Sequence, residues 1–174
     1  MFMNYLKLYN LEGYLFKEVN SRFHKNHYLT AEDFFCIIIW KANRAKSKIR
    51  NRLLKVDVNL EKAIKVLTSE IYQQKNIENR LEIMLSQKWG FSLPMATAIL
   101  TVLYDKDISV YDVRVRAELK LKEIYTAEKY FSYFLPAVQK FAKSHSLSLR
   151  DADKYLWSKS FHEDLKQLLV KPKI

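Results

Sequence analysis

Glycine and proline are almost absent from this chain, which has two glycines and three prolines in 174 residues. Turns that depend on these residues must be few, and long helices are favoured. The alternation of apolar and polar residues that is typical of strands is rare. The sequence therefore predicts an all-α protein, a compact single-domain bundle of about eight helices over residues 1–174.

The first helix is expected from about Tyr5 to His24, and Thr30, Asn59 and Ser148 are expected as N-caps of later helices. Two helices are expected after Ser148, the second of them ending at Val170.

The composition narrows the kinds of site that this chain can hold. Apolar residues make up 49% of the chain, which argues against disorder. The single cysteine, Cys36, excludes an internal disulfide and any site built from four thiolates, and its apolar surroundings predict a buried side chain. The four histidines lack metal-ligand spacing, so we expect no metal and no other cofactor.

The N-terminal stretch MFMNYLKLYNLEG lacks the basic start and the small-residue cleavage site of a secretory signal. No apolar run approaches the length that a membrane span needs. We therefore expect a cytoplasmic monomer without a membrane partner, associated with the nucleoid when it is bound.

The formal net charge is +11 at pH 7, with an isoelectric point near 9.6. The cations of such a chain repel one another unless a bound polyanion neutralises part of their charge. Nucleic acid is the commonest partner of this kind, and ribosomal or membrane surfaces are the competing ones.

Much of this charge lies in the segment WKANRAKSKIRNRLLK, which begins at Trp40 and carries seven cations and no acid. On one continuous helix, Lys41, Arg44 and Lys48 would share a face, with Lys46 close by. This pattern favours contact with a polyanion. The alternative is a solvated face that complements the negative end of the helix dipole. Trp40 is a candidate for binding nucleic acid by stacking on a base or ribose, but its place at the end of an apolar run favours the core or a cleft wall.

A second feature is the short turn GFS between two predicted helices. Gly90 allows a positive φ at this turn. The main-chain amides of Gly90, Phe91, Ser92 and Leu93, at the positive end of the next helix dipole, are candidates for holding a nucleic-acid phosphate. The alternative is an ordinary helical hairpin with a glycine after its first helix.

A third feature is the segment SVYDVRV, which contains Asp112. The sequence predicts a helix from Val110 to about Lys122, with Ser109 as its N-cap and Asp112 in its first turn. Asp112 is then either the second member of a capping box or a carboxylate that orients water and stabilises positive charge on a sugar.

These features occur in the order turn, buried helix, break and Val-x-Asp. This order resembles the signature of the helix-hairpin-helix base-excision DNA glycosylases. Gly90 falls at the hairpin turn, Ala96 matches an alanine of its second helix, and Val110, Asp112 and Val115 match the segment with the catalytic aspartate. The resemblance implies a helix-hairpin-helix motif at about residues 78–104 and a catalytic role for Asp112.

The chain departs from the family pattern at several positions. Ser92 replaces the second hairpin glycine, and Val113-Arg114 replaces the threonine-histidine pair that follows the aspartate. Pro94 occupies the place of the Schiff-base lysine, for which Lys88 is a weak substitute. The cysteines of the iron–sulfur branch are absent. The resemblance thus implies a monofunctional glycosylase without lyase activity, or a member that binds without cleaving.

The function expected from this resemblance is hydrolysis of the N-glycosidic bond of a damaged or modified base that is flipped out of DNA. Lys41, Arg44, Lys46 and Arg114 would hold the DNA electrostatically, and Phe91 is a candidate wedge for the gap in the base stack. Two alternatives remain, namely a non-catalytic nucleic-acid-binding module on the same scaffold and a helical protein-interaction domain.

Overall fold

The computed structural model describes residues 8–169, and within this range the chain forms helices and no strands. Helix α1 consists of Leu11–Tyr14, a π-helical turn Leu15–Val19, and Asn20–Asn26. The next helices are α2 (Ala31–Ala42), α3 (Lys46–Val56), α4 (Leu60–Gln73), α5 (Ile77–Leu85), α6 (Leu93–Leu103) and α7 (Val113–Glu118). Helix α8 consists of Ala127–Lys129, a π-helical turn Tyr130–Phe134, and Leu135–Ser144, and α9 is Leu149–Leu169. Over residues 8–169 the all-α prediction is confirmed, with α7 as a short helix beside eight longer ones.

Side chains at three predicted N-caps define where helices begin. Thr30 accepts a hydrogen bond from the amide of Asp33 before α2, and Asn59 accepts one from Lys62 before α4. The Ser148 hydroxyl accepts one from the amide of Asp151 at the start of α9. These bonds satisfy amides that have no partner within the helix, so the predicted starts of α2 and α4 are confirmed.

Helix α6 lies at the centre of the bundle and packs against α1, α2 and α5. Its residues from Met95 to Leu103 are all buried, as its nearly uniform apolar sequence predicts. Its two threonines, Thr97 and Thr101, donate their hydroxyl protons to carbonyl oxygens one turn earlier. Helix α9 packs against α7 and α8 on another side of the molecule.

The prediction that the basic segment continues helix α2 is wrong. Helix α2 ends at Ala42, whose φ of −160° and ψ of 84° are not helical, and a 3₁₀ turn Asn43–Ala45 separates it from α3. Lys41 therefore belongs to one helix and Lys48 to another, and they do not share a helical face.

Two further predicted boundaries are wrong. Asp112 is itself the N-cap of α7, and Ser109 is a buried residue that precedes it outside any helix. The region predicted as two helices after Ser148 is the single helix α9, because it contains neither glycine nor proline to interrupt it. The predicted first-helix start at Tyr5 and the last predicted helical residue, Val170, lie outside the described residues. Over residues 8–169, no helix has the length and apolar character required to cross a bilayer.

Candidate functional site

A cleft of about 830 Å³ opens where α1, the end of α2, the segment before α7 and the first turns of α9 meet. Its lining contains both acids and bases, and three large aromatic side chains. The lining residues used below are Glu12, Phe16, Lys17, Trp40, Lys41, Asp105, Asp112, Arg150, Asp153, Lys154 and Trp157.

Asp112 lies in this cleft with both carboxylate oxygens engaged. Oδ1 accepts a hydrogen bond of 3.0 Å from the amide of Arg114, at the start of α7. Oδ2 lies 2.5 Å from Nζ of Lys41. The side chains of Asp112 and Lys41 are each 16% exposed, so the pair is accessible from the cleft. Asp112 is a capping residue, as one interpretation of the sequence predicted, and its carboxylate also faces a cleft.

The backbone before Asp112 is held by two buried side chains. The Tyr130 hydroxyl donates a proton to the carbonyl oxygen of Ser109, and the amide of Ser109 donates to the same hydroxyl. The amide of Tyr111 donates to Oγ1 of Thr97 on the central helix. These contacts fix this segment against the core, and so they fix the position of Asp112 in the cleft.

Aromatic side chains form one wall of the cleft. Phe16 comes from the π-helical turn of α1 and packs edge-on against Trp40, with ring centroids 5.7 Å apart. The guanidinium carbon of Arg150 lies 4.7 Å from the Phe16 ring centre and 5.4 Å from that of Trp40. Trp40 thus lies in a cleft wall, one of the two positions expected for it. Such π-helical turns often occur at functional sites.

Asp153 is a second, more deeply buried acid in the cleft, and its residue is only 3% exposed. Its Oδ2 accepts a charged hydrogen bond from Nη1 of Arg150, one turn earlier on α9. Burial raises the pKa of Asp153 to about 6, although Arg150 and Lys41 both lower it and Asp112 adds to the rise.

The cleft lining carries no excess of cations, in contrast to the basic segment that begins at Trp40. Its lining carries four cations and four acids, so its formal charge is balanced. The cations are Lys17, Lys41, Arg150 and Lys154, and the acids are Glu12, Asp105, Asp112 and Asp153. Over the described residues, no group of three or more His, Cys, Asp or Glu side chains is arranged to hold a metal ion.

The turn between α5 and α6 uses two of its four candidate amides internally. Gly90 has a φ of +56°, the left-handed region that favours glycine. Its amide donates to the carbonyl oxygen of Ser86, and the amide of Phe91 donates to that of Met84. Within residues 8–169, the amides of Ser92 and Leu93 have no acceptor. Any phosphate held at this turn would therefore rely on the amides of Ser92 and Leu93.

The side chain of Phe91 is only 5% exposed and packs against Phe34. This burial is contrary to the expectation that Phe91 wedges into a base stack, because the ring belongs to the core. Lys88 does not substitute for the missing lysine, since its Nζ lies 2.5 Å from Glu70 and it does not line the cleft.

Exposed cations lie along α3 and on the 3₁₀ turn before it. Arg44, Lys46, Lys48, Arg50 and Lys55 are exposed, and among the described residues none of them forms an ion pair. Near the far end of α3, Arg52 reaches the turn of the hairpin, where its Nη1 would lie 3.3 Å from a Cβ added to Gly90. We call the five exposed residues, together with Arg52, the α3 cations.

Arg114, another predicted DNA contact, forms an ion pair and a ring contact within the protein. It pairs with Asp164 on α9 at 2.5 Å, and its guanidinium carbon lies 5.4 Å from the centre of the Trp157 ring system. It therefore helps to attach α7 to α9.

Phe16, Arg150 and Asp153 are cleft residues that the sequence did not identify. The Arg-x-x-Asp spacing of Arg150 and Asp153 is a signal that they share a helical face. Nothing in the sequence indicates that this face meets Lys41 and Asp112. No protein-family model, curated protein or solved structure matches the chain.

Proposed function

We propose that this protein is a DNA glycosylase of the helix-hairpin-helix type, with α5, the Gly90 turn and α6 as its hairpin. It hydrolyses the N-glycosidic bond of a base that is flipped out of the duplex into the cleft. The observation that carries this proposal is the position of Asp112, a carboxylate held by a helix N-terminus inside an aromatic-walled cleft.

The dimensions and chemistry of the cleft support a flipped nucleoside as its occupant. A volume of about 830 Å³ lies within the range of small-molecule sites. Phe16, Trp40 and Trp157 line the cleft, and a base can pack against the ring surface that Arg150 leaves uncovered, as enzymes that extrude bases require.

Asp112 supplies negative charge next to the sugar. As the glycosidic bond lengthens, positive charge develops at C1′, and a fixed carboxylate stabilises it. The same carboxylate orients the attacking water. Lys41 partly neutralises this charge in the free protein. A DNA phosphate can replace Asp112 as the partner of Lys41, which would leave the carboxylate free for the sugar.

The α3 cations bind the phosphates of DNA without regard to base sequence. Helix α3 begins five residues after Lys41 of the cleft, and Arg52 near its far end lies beside Gly90 of the hairpin. The exposed cations between these points therefore connect the cleft with the hairpin turn. Phosphate contacts of this kind position a duplex without reading its sequence.

A direct test is incubation with duplexes that each carry one altered base, including uracil, hypoxanthine, 8-oxoguanine and alkylated purines. We expect release of at least one base, detected as strand cleavage after alkali. If no base in the panel is released from double- or single-stranded DNA, the proposed activity is wrong.

We expect no strand cleavage without alkali. Pro94, at the family's lysine position, has no amine, and Nζ of Lys41 is already engaged in an ion pair with Asp112. Borohydride treatment of the reaction distinguishes the two cases. A covalent adduct trapped on Lys41 would show that this lysine forms an imine and would contradict the expectation.

A non-catalytic nucleic-acid-binding module is the second candidate. It is favoured by the dual structural role of Asp112, which caps α7 and neutralises the partly buried Lys41. Under this alternative, DNA binding persists and base release is absent.

Replacing Arg44, Lys48 and Arg50 together by glutamine tests the DNA-binding surface. Each phosphate contact contributes about 0.9 to the slope of log K against log salt, so we expect the slope to fall by about 2 to 3. A matched triple replacement of the exposed Lys129, Lys140 and Lys143 on α8 removes the same net charge. Fluorescence anisotropy should give a weaker, flatter salt dependence for the α3 variant alone; equal effects would assign binding to net charge.

A further inference from the structure

The cleft contains a second carboxyl group whose chemistry differs from that of Asp112. Asp153 lies on α9, and its Oδ2 accepts a hydrogen bond from Arg150. Within the described part of the chain, Oδ1 receives no hydrogen bond. Asp153 lines the cleft although its residue is 3% exposed, so this carboxyl group is desolvated and adjoins the space for a ligand.

The charged and titratable groups that act on Asp153 come from four elements. Arg150 is on its own helix, Lys41 on α2, Asp112 before α7, and Tyr130 on α8. Arg150 and Lys41 lower the pKa of Asp153, whereas burial and Asp112 raise it, and the result is about 6. Asp112, in contrast, forms an ion pair with Lys41 and accepts a hydrogen bond from the Arg114 amide.

Hydrolysis of a glycosidic bond needs one group that gives a proton to the departing base and one that stabilises positive charge on the sugar. Two carboxyl groups with different environments in one cleft can divide these two roles. We infer that Asp153 is the general acid that protonates the departing base, while Asp112 stabilises the sugar cation. This inference rests on the glycosylase function proposed above and names a residue and a substrate class for it.

The proposed step balances as an ordinary hydrolysis. The C1′–N bond breaks and its electron pair goes to the base, which takes a proton from the Asp153 carboxyl group. Water then bonds to C1′ and gives up a proton, which returns the Asp153 carboxylate to its acid form. No oxidant, reductant or other co-reactant is required.

Arg150 indicates which bases this cleft accepts. Its guanidinium already occupies the ring faces of Phe16 and Trp40, which would otherwise attract a cationic base. A base with a formal positive charge therefore gains no cation–π contact from the ring surface that Arg150 covers, where Glu12 and Asp153 already pair with the guanidinium. An uncharged base does not need such a contact, and it is also the kind of leaving group that benefits from a proton. The predicted substrate is therefore a damaged or modified base that is uncharged at neutral pH.

The test is the single-turnover rate of base release between pH 5 and 8, on duplexes with uracil, hypoxanthine or 8-oxoguanine. For the wild type, we expect the rate to fall about tenfold per pH unit above pH 6, as the acid form disappears. For Asp153→Asn, we expect a rate about 10²- to 10⁴-fold lower at pH 6 and no such fall with pH. Glu163→Gln, an exposed position on the same helix, should retain the wild-type profile.

The outcomes separate this inference from the proposed function. If the wild type releases no base, both fail. If the wild type is active and Asp153→Asn keeps either the wild-type rate or the fall in rate above pH 6, the inference alone is overturned. Replacing a residue that only supports the structure would leave that pH dependence in place. Thermal melting and DNA affinity of Asp153→Asn, measured in parallel, establish that the variant is folded.

Discussion

Asp112→Asn is expected to lower the rate of base release by about 10²- to 10³-fold or more while DNA binding persists. Asparagine has nearly the same shape, and its side-chain oxygen can still accept the Arg114 amide, so α7 keeps its cap. What disappears is the negative charge that would face the developing sugar cation. Lys41 loses its internal partner in the variant, so we expect DNA affinity to stay the same or to increase.

The chain offers a closely matched control for this substitution. Asp57 accepts the amide of Asn59, two residues later, through one oxygen and lies 3.0 Å from Lys62 through the other. It therefore repeats the local geometry of Asp112 outside the cleft. Single-turnover assays should give normal base release for Asp57→Asn. Equal rates for both variants and the wild type would remove Asp112 from the mechanism, whereas intact DNA binding without base release in all three proteins would favour the non-catalytic alternative.

The helical class of this chain was predictable because its causes are local. Scarce glycine and proline leave little to interrupt helices, and capping side chains such as Thr30 and Asn59 bond to amides three residues later. The central position of α6 also followed from sequence, because a helix that is apolar on every side has no face for solvent.

The helix boundaries that were predicted wrongly depend on tertiary contacts. Ser109 has the residue type and spacing of an N-cap, but Tyr130 binds both of its main-chain polar groups and holds it outside the helix. The helix break at Asn43–Ala45 contains no glycine or proline from which it could be predicted. Helical periodicity alone therefore placed Lys41 and Lys48 on one face.

The candidate site was predictable only in part, for the same reason. Asp112, Trp40 and Lys41 were identified from sequence, and all three line the cleft. The ion pair between Lys41 and Asp112 joins residues 71 positions apart, and such a pairing depends on how helices pack. Asp153 is inconspicuous in the sequence because its unusual property, burial beside other charges, arises only when α9 closes the cleft.

Asp153 should also make the protein less stable as pH rises from about 4 to about 6. Its pKa is about 6 in the folded protein, compared with an ordinary value of 3.8, so between these values the folded state binds the proton more tightly than the unfolded state. The stabilisation is fully present below pH 3.8 and is lost as pH rises through 6. One pKa unit corresponds to about 1.4 kcal/mol, so the change in unfolding free energy is on the order of 3 kcal/mol.

Urea unfolding of the wild type and Asp153→Asn at pH 4, 5, 6 and 7 measures this effect. The asparagine variant cannot ionise, so its stability relative to the wild type should increase with pH over this range and level off above about pH 7. Asp57→Asn, compared with the wild type at about pH 2 to 4, should change in the opposite direction, because the Asn59 amide and Lys62 lower the pKa of Asp57 from its ordinary value of 3.8. A pH-independent difference between Asp153→Asn and the wild type would mean that Arg150 and Lys41 fully offset burial, and Asp153 would then be ionised throughout the range in which it is proposed to donate a proton.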